Sequence, residues 1–307
     1  MTKILVATEK PFAKAAIDDI RKVVEANGYT LALLEKYTDV NDLYKAVEDA
    51  DALIVRSDKV TKEVIEHAKN LKIVVRAGAG YDNLDLEACT AKGIVAMNTP
   101  GQNSNAVAEL VMGMLVYCVR NFYNGKSGSE LMGKKLGLLA YGNVGRNVAR
   151  IAHGFGMKVY AFDEFLTKEK IESDGIAHAV ANRDALFETC DMVSLHIPAT
   201  AETKQSINYD VVNKMHKGGI LVNTARKEVI DEASLLKLMA ERTDIKYICD
   251  VMPDADAEFR KFEGRYFATP KKMGAQTEEA NINAGIAAAN QIADFFKTGN
   301  KKFQVNK

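Results

Sequence analysis

Short apolar runs alternate with amphipathic stretches from the first residues onward. Lys3–Ala7 is a run of strand length, and Phe12–Asn27 repeats its apolar positions at helical spacing. Ala52–Val55, Ile73–Val75 and Ile94–Met97 are further apolar runs between polar or turn residues. Runs this short and this uniformly apolar read as strands buried on both faces, so the alternation predicts a parallel sheet covered by helices on both sides. Met97-Asn98-Thr99-Pro100-Gly101-Gln102 then interrupts the pattern with turn chemistry. Beyond it, a broad stripe of Val107, Leu110, Val111, Met114, Leu115 and Cys118 predicts a helix from about Ser104 to Phe122. A helix this apolar belongs to a core or a subunit contact. Asn121 to Gly133 is a polar, glycine-containing connection, and a second alternating series starts at Lys135. The pattern gives two α/β units joined at Thr99-Pro100, a division that suits 307 residues.

Composition narrows the classes of partner. The chain is 47% apolar and 27% charged, and its 41 basic and 41 acidic side chains cancel. A net charge of +0 offers no electrostatic reason for a nucleic acid or an anionic membrane as partner. The apolar run after Met1 is shorter than the core of a secretion signal, and the apolar stretch Ala106 to Val119 is too short to span a bilayer and carries Glu109. Cys89, Cys118, Cys190 and Cys249 are scattered and form no CxxC pair, so they read as buried fillers rather than metal ligands or disulfides. The expectation is a cytoplasmic protein without a metal.

The second series carries the clearest chemistry. Lys135–Ala140 reads as a strand, Tyr141-Gly142-Asn143-Val144-Gly145 as a turn, Val144–Phe155 as a helix and Lys158–Phe162 as the next strand, with Asp163 at its end. Dinucleotide phosphates need backbone N–H groups at a helix N-terminus with no side chain in the way, which Gly142 permits; Gly145 lets helix and strand pack closely. Asp163 follows Gly142 by 21 residues, where a carboxylate can accept hydrogen bonds from the adenosine ribose and repel a 2′-phosphate, favouring NAD over NADP. The first glycine of the G-x-G-x-x-G fingerprint is replaced by Ala140, which is tolerable if its φ stays negative.

With these motifs in place, the sequence resembles the D-2-hydroxyacid dehydrogenase family. The likeness runs through Gly133–Asp163, Asp191-Met192-Val193-Ser194-Leu195-His196-Ile197-Pro198, Asn223-Thr224-Ala225-Arg226 and Cys249-Asp250-Val251. It also includes Arg76-Ala77-Gly78-Ala79-Gly80 and Asn103-Ser104-Asn105-Ala106. Within the family the chain is most similar to the short phosphoglycerate-oxidising branch that lacks a C-terminal regulatory domain, so feedback through such a domain is not expected. The resemblance implies two doubly wound, Rossmann-like parallel-sheet domains with a cleft between them. Residues 1–98 and 281–307 would form a discontinuous substrate domain around an NAD-binding domain at 99–280, and the long helix after Asn103 would lie at a homodimer interface. It places Tyr141, Gly142, Asn143, Val144, Gly145 and Asp163 against the cofactor, together with His196, Pro198, Thr203, Thr224, Ala225, Arg226 and Asp250. Asp250 would neighbour the nicotinamide carboxamide.

Oxidising a 2-hydroxy acid requires a carboxylate anchor, a base for the hydroxyl proton and a hydride acceptor. Arg226 suits the first role, since a guanidinium grips a carboxylate with two parallel donors, and it follows the apolar run Ile220-Leu221-Val222, where open α/β sheets bind ligands. The alternative is a solvated turn charge. Amides of Ala77, Gly78, Ala79 and Gly80 are candidates for the same carboxylate, and Asn103 for the substrate. By resemblance a histidine should follow Thr269-Pro270, but Lys271 stands there, and all five histidines (His67, His153, His178, His196, His216) precede Arg226. The glutamate that would pair with that histidine is Ala255, flanked by Asp254 and Asp256. Lys271 is therefore the expected acid/base, as the free amine taking the hydroxyl proton or as the ammonium returning one to a keto acid. Lys272 competes with it, and an ordinary surface lysine is the bland reading. His196 reads as lining the cofactor pocket or as a satisfied core histidine. Arg56 and Ser57, with Arg76 and more weakly Lys59, read as a phosphate site, the alternative for Arg56 being a surface ion pair. Together these point to D-3-phosphoglycerate oxidation. A hydroxypyruvate or glyoxylate reductase, or a non-catalytic NAD-binding sensor, are the competing readings.

Overall fold

The apolar runs become strands of two all-parallel sheets in the computed structural model, which describes residues 1–306. In chain order, the elements begin with β1 (Lys3–Thr8), α1 (Lys14–Ala26), β2 (Thr30–Glu35), α2 (Val40–Val47), β3 (Ala52–Val55), α3 (Lys62–His67), β4 (Ile73–Arg76), α4 (Leu86–Ala91) and β5 (Val95–Asn98). Next come α5 (Ser104–Val119), β6 (Lys135–Leu139), α6 (Asn143–Gly154), β7 (Lys158–Phe162), α7 (Lys168–Glu172), β8 (Ala177–Ala179), α8 (Arg183–Thr189) and β9 (Met192–Leu195). The chain continues through α9 (Tyr209–Asn213), β10 (Ile220–Asn223), α10 (Glu232–Glu241), β11 (Lys246–Cys249), α11 (Asp256–Phe259), β12 (Tyr266–Ala268) and α12 (Glu278–Thr298). It divides into one unit of Met1–Asn103 with the stretch from Gln276 onward, and a second of Ser104–Ala275.

The sheet of the first unit runs β2-β1-β3-β4-β5. The residues of β3 and β5 are buried throughout, as continuous apolar runs between two helical layers must be. One layer packs α1 and α12 against Ile4, Ile54 and Val75. Alanines and Gly285 dominate the buried face of α12, and a Cβ on Gly285 would stand 2.9 Å from Ile20 Cδ1, so small residues let the two helices approach.

The second sheet runs β12-β11-β10-β9-β6-β7-β8, so the strand order reverses between β6 and β9. Ligands bind outside the carboxyl ends of the strands at such a switch point. Helix α6 buries Gly145, Val148, Ala149 and Ala152, a face at i, i+3, i+4 and i+7, and shares its core with Val111, Leu115 and Cys118 of α5.

Helix α5 ends at Val119, short of the expected Phe122. Asn121, Phe122 and Tyr123 take φ of 51, 54 and 56 instead, a left-handed turn that costs roughly 1–2 kcal/mol per residue. The returning chain holds it there: Ser129 N donates to Val119 O, and Phe122 packs on Tyr117 and Phe267.

Candidate active site

Strand register sets the site of the second unit. Leu139 pairs with Phe162 and Leu195, Asn223 with Leu195 and Cys249, and Cys249 with Ala268. One step beyond these pairs, Asp163, Ala140, His196, Thr224, Asp250 and Thr269 therefore form a single row along the carboxyl edge. All six come from segments singled out in the sequence.

Ala140 breaks its condition. Its φ is 77, so the tight turn is left-handed as a glycine would make it, and the chain bears the strain with a methyl group in place. The cause lies in the packing around it: Ala140 N donates to Phe162 O, and a Cβ on Gly145 would stand 2.5 Å from Ala140 O. Gly142 differs, since its Cβ would meet nothing within 4 Å. It begins α6 without any side-chain cap, so the first turn keeps N–H donors of the kind an NAD pyrophosphate requires. Asp163 accepts from Tyr141 N at 2.8 Å and Phe165 N at 2.9 Å, which fixes its carboxylate at the strand end. Tyr141 offers only its backbone here, because its side chain is buried, donates to Asp174 and lies beneath the Arg146 guanidinium.

Asn223 shapes the turn carrying Arg226, its amide accepting from Ala225 N and donating to Arg226 O. The half-buried Arg226 guanidinium donates to Ala225 O, and among the described residues it has no carboxylate partner. Asp250 is buried and has three donors, Thr269 Oγ1 at 2.7 Å, Met273 N at 2.6 Å and Gly274 N at 2.8 Å. Its carboxylate thus clamps both ends of the loop whose middle is Lys271 and Lys272. Lys271 is exposed, and among the described residues its side chain forms no hydrogen bond or ion pair. The flanking acids are otherwise engaged: Asp254 pairs with Lys227, Asp256 accepts from Tyr266 and Arg260, and Glu232 accepts the amides of Asp254 and Ala255. Burial drives the His196 imidazole down to about 4, so it is neutral near pH 7, and its Nε2 is a buried atom without a partner. Thr224 Oγ1, next to it in the row, is equally unpartnered, and the two leave unmet polar capacity at the switch point. Thr203 Oγ1 donates to Pro198 O within an exposed loop.

The first unit has its own row. Ala7 pairs with Val55, Val55 with Arg76 and Arg76 with Asn98, so Arg56, Ala77 and Thr99 lie level beyond the strands. Arg56 forms no ion pair among the described residues, which removes the surface-pair alternative. Instead it donates to Lys10 O at 3.1 Å, Pro11 O at 3.0 Å and Asn281 Oδ1 at 2.5 Å, with its guanidinium 5.1 Å from the centre of the Phe12 ring. Arg76 Nε donates to Arg56 O, and its guanidinium fills the space where a Gly78 side chain would stand, so the two arginines are neighbours. Ser57 is exposed beside them. Of the four amides considered for a carboxylate, Ala77 N is spent on Val55 O and Gly78 N on Arg76 O. Those of Ala79 and Gly80 keep their donors among the described residues. Asn103 closes the segment, half-buried. Sequence reading missed Lys10 and Asn281, which reach Arg56 from 46 and 225 residues away and leave no local signal.

Hollows of about 460 and 300 Å³ within single units contain none of these residues, so the reading rests on the strand ends. Among the described residues no cluster suits a metal ion, and no helix is long and apolar enough to cross a membrane.

The family described as D-isomer specific 2-hydroxyacid dehydrogenase, NAD binding domain, matches residues 93–269. A hydroxypyruvate reductase from Thermotoga maritima is 38% identical over 288 residues, covering 87% of this chain and 91% of its own length. A D-3-phosphoglycerate dehydrogenase from Methanocaldococcus jannaschii is 36% identical, covering 95% of this chain and 57% of its own, so the chain spans little more than half of that relative. Among solved structures, NAD+-bound 3-phosphoglycerate dehydrogenase from Entamoeba histolytica superposes with a TM-score of 0.87 at 49% identity, over 100% of this chain and 99% of that one.

Proposed function

Because the chain belongs to the D-isomer-specific 2-hydroxyacid dehydrogenase family and carries its NAD-binding domain, we propose that it oxidises D-3-phosphoglycerate to 3-phosphohydroxypyruvate. The observation that carries this reading is Arg226, a half-buried guanidinium without a carboxylate of its own, one turn beyond a strand at the switch-point edge. It takes the substrate carboxylate in two-pronged geometry. Lys271, held on the loop that Asp250 clamps, takes the hydroxyl proton onto Nζ as its free amine, becoming the ammonium as the C2–O bond becomes a carbonyl. NAD would supply the hydride acceptor for the C2 hydrogen. Gly142 and the first turn of α6 hold its pyrophosphate, and Asp163 reads its ribose.

The neighbouring Arg56 and Arg76 support a phosphorylated substrate, as does the name of the Entamoeba histolytica neighbour. The name of the Thermotoga maritima relative supports a second reading, reduction of hydroxypyruvate. On the leading reading the enzyme works in the cytoplasm at the entry to serine synthesis, as a homodimer through the second unit, where exposed Met132 and Phe155 support an apolar contact. Comparing kcat/KM for 3-phosphohydroxypyruvate with that for hydroxypyruvate and glyoxylate decides between the substrates. Preference for the phosphorylated acid by tenfold or more is expected, and preference for an unphosphorylated one contradicts the reading.

A further inference from the structure

Arg56 is the expected phosphate ligand, yet most of its capacity is turned inward. A guanidinium has five N–H donors. Three of them face Lys10 O, Pro11 O and Asn281 Oδ1, and the flat group rests over the Phe12 ring. The hydrogen bonds therefore describe a fastening. They tie down the loop that follows β1, and the fastening has further parts: Thr8 Oγ1 donates to Lys10 O, and the buried Asp58 carboxylate accepts from Glu9 N at 2.7 Å. What this loop presents is the exposed Lys10 side chain, which among the described residues has no hydrogen bond or ion pair. The loop leads into α1, whose N-cap, Ala13, offers no side-chain acceptor, and whose first turn has no acidic residue. The positive end of that helix dipole thus lies close along the chain to Lys10.

Resting on the reading above, we propose that Lys10 is a specificity-determining residue that binds the phosphate of the substrate, and that Arg56 acts largely as the positioning residue holding Lys10 in place. An ammonium is a compact charge suited to a phosphate dianion, and holding its backbone from both sides lowers the entropy lost when it binds. Ser57 and the two remaining Arg56 donors complete the cation-and-donor set on this strand edge.

The test is a double-mutant cycle on the full-length enzyme, read as the ratio of kcat/KM for 3-phosphohydroxypyruvate to that for hydroxypyruvate. Wild type must first favour the phosphorylated acid; if it does not, the functional reading falls and this inference with it. Given that preference, Lys10→Ala should lower the ratio about 10- to 100-fold, the range of a hydrogen bond to a charged group, through KM for the phosphorylated acid rather than through kcat. Lys10→Arg should restore most of it. Arg56→Ala should lower the ratio as well, and the double variant should be little worse than Arg56→Ala alone, because one residue acts through the other. NADH affinity and the unfolding midpoint of Lys10→Ala should match wild type. A Lys10→Ala enzyme that keeps the wild-type ratio overturns the proposal while leaving the substrate reading intact. Fully multiplicative effects in the double variant overturn the positioning role of Arg56.

Discussion

Ala140 holds a left-handed backbone, at φ 77, that costs an L-residue roughly 1–2 kcal/mol and glycine nothing sterically. Ala140→Gly should therefore raise stability in urea titrations by about 1 kcal/mol, after the extra chain entropy of glycine is deducted. A loss of stability would show that the methyl packs favourably enough to offset the strain. His196 makes a second prediction at this scale. Its folded pKa of about 4 lies below an unfolded value near 6.5, so between those limits the unfolded chain binds a proton that the folded chain refuses. Stability is then undiminished above pH 6.5 and falls by about 1.4 kcal/mol per pH unit as acid is added, to a loss of about 3 kcal/mol near pH 4. Urea unfolding of wild type and His196→Gln between pH 4 and 7 isolates this contribution, which the variant should lack; parallel curves would contradict it.

At the scale of elements, the Asp250 carboxylate organises the loop after β12 from a distance of 19 to 24 residues. Asp250→Asn replaces an acceptor by an amide N–H facing Thr269, Met273 or Gly274, which should cost about 2–3 kcal/mol. It should also speed amide exchange across residues 271–275 and lower kcat by displacing Lys271; unchanged exchange with lowered kcat would place its role at the cofactor instead. Inner strands were legible because burial on both faces leaves an apolar run, as in β3 and in Ile220-Leu221-Val222 of β10. Three of the edge strands were not: β2 mixes exposed and half-buried positions, and β8 and β12 are only three residues long. The row from Asp163 to Asp250 was legible because strand ends and turn glycines are local features. The sign of φ at Ala140, the clamp on Asp250 and the tether from Arg56 to Lys10 are tertiary, and no short stretch of sequence encodes them.

Over the whole molecule the net charge is zero, and the cations proposed for the substrate occur in both units. The second unit carries the dinucleotide turn with Arg226 and Lys271, the residues proposed for the carboxylate and the proton; the first carries the cations proposed for the phosphate. The departure from the family pattern, lysine in place of histidine and alanine in place of its glutamate partner, is compensated by neither nearby acid, since Asp254 and Asp256 are held by Lys227, Tyr266 and Arg260. On the proposed function, proton transfer then falls to Lys271. Its most direct test is NADH oxidation by 3-phosphohydroxypyruvate in wild type and Lys271→Ala, with NADH binding measured separately. A fall in kcat of roughly 10²- to 10⁴-fold at unchanged NADH affinity is predicted, the range of general acid–base catalysis. A Lys271→Ala enzyme with near wild-type kcat would contradict it.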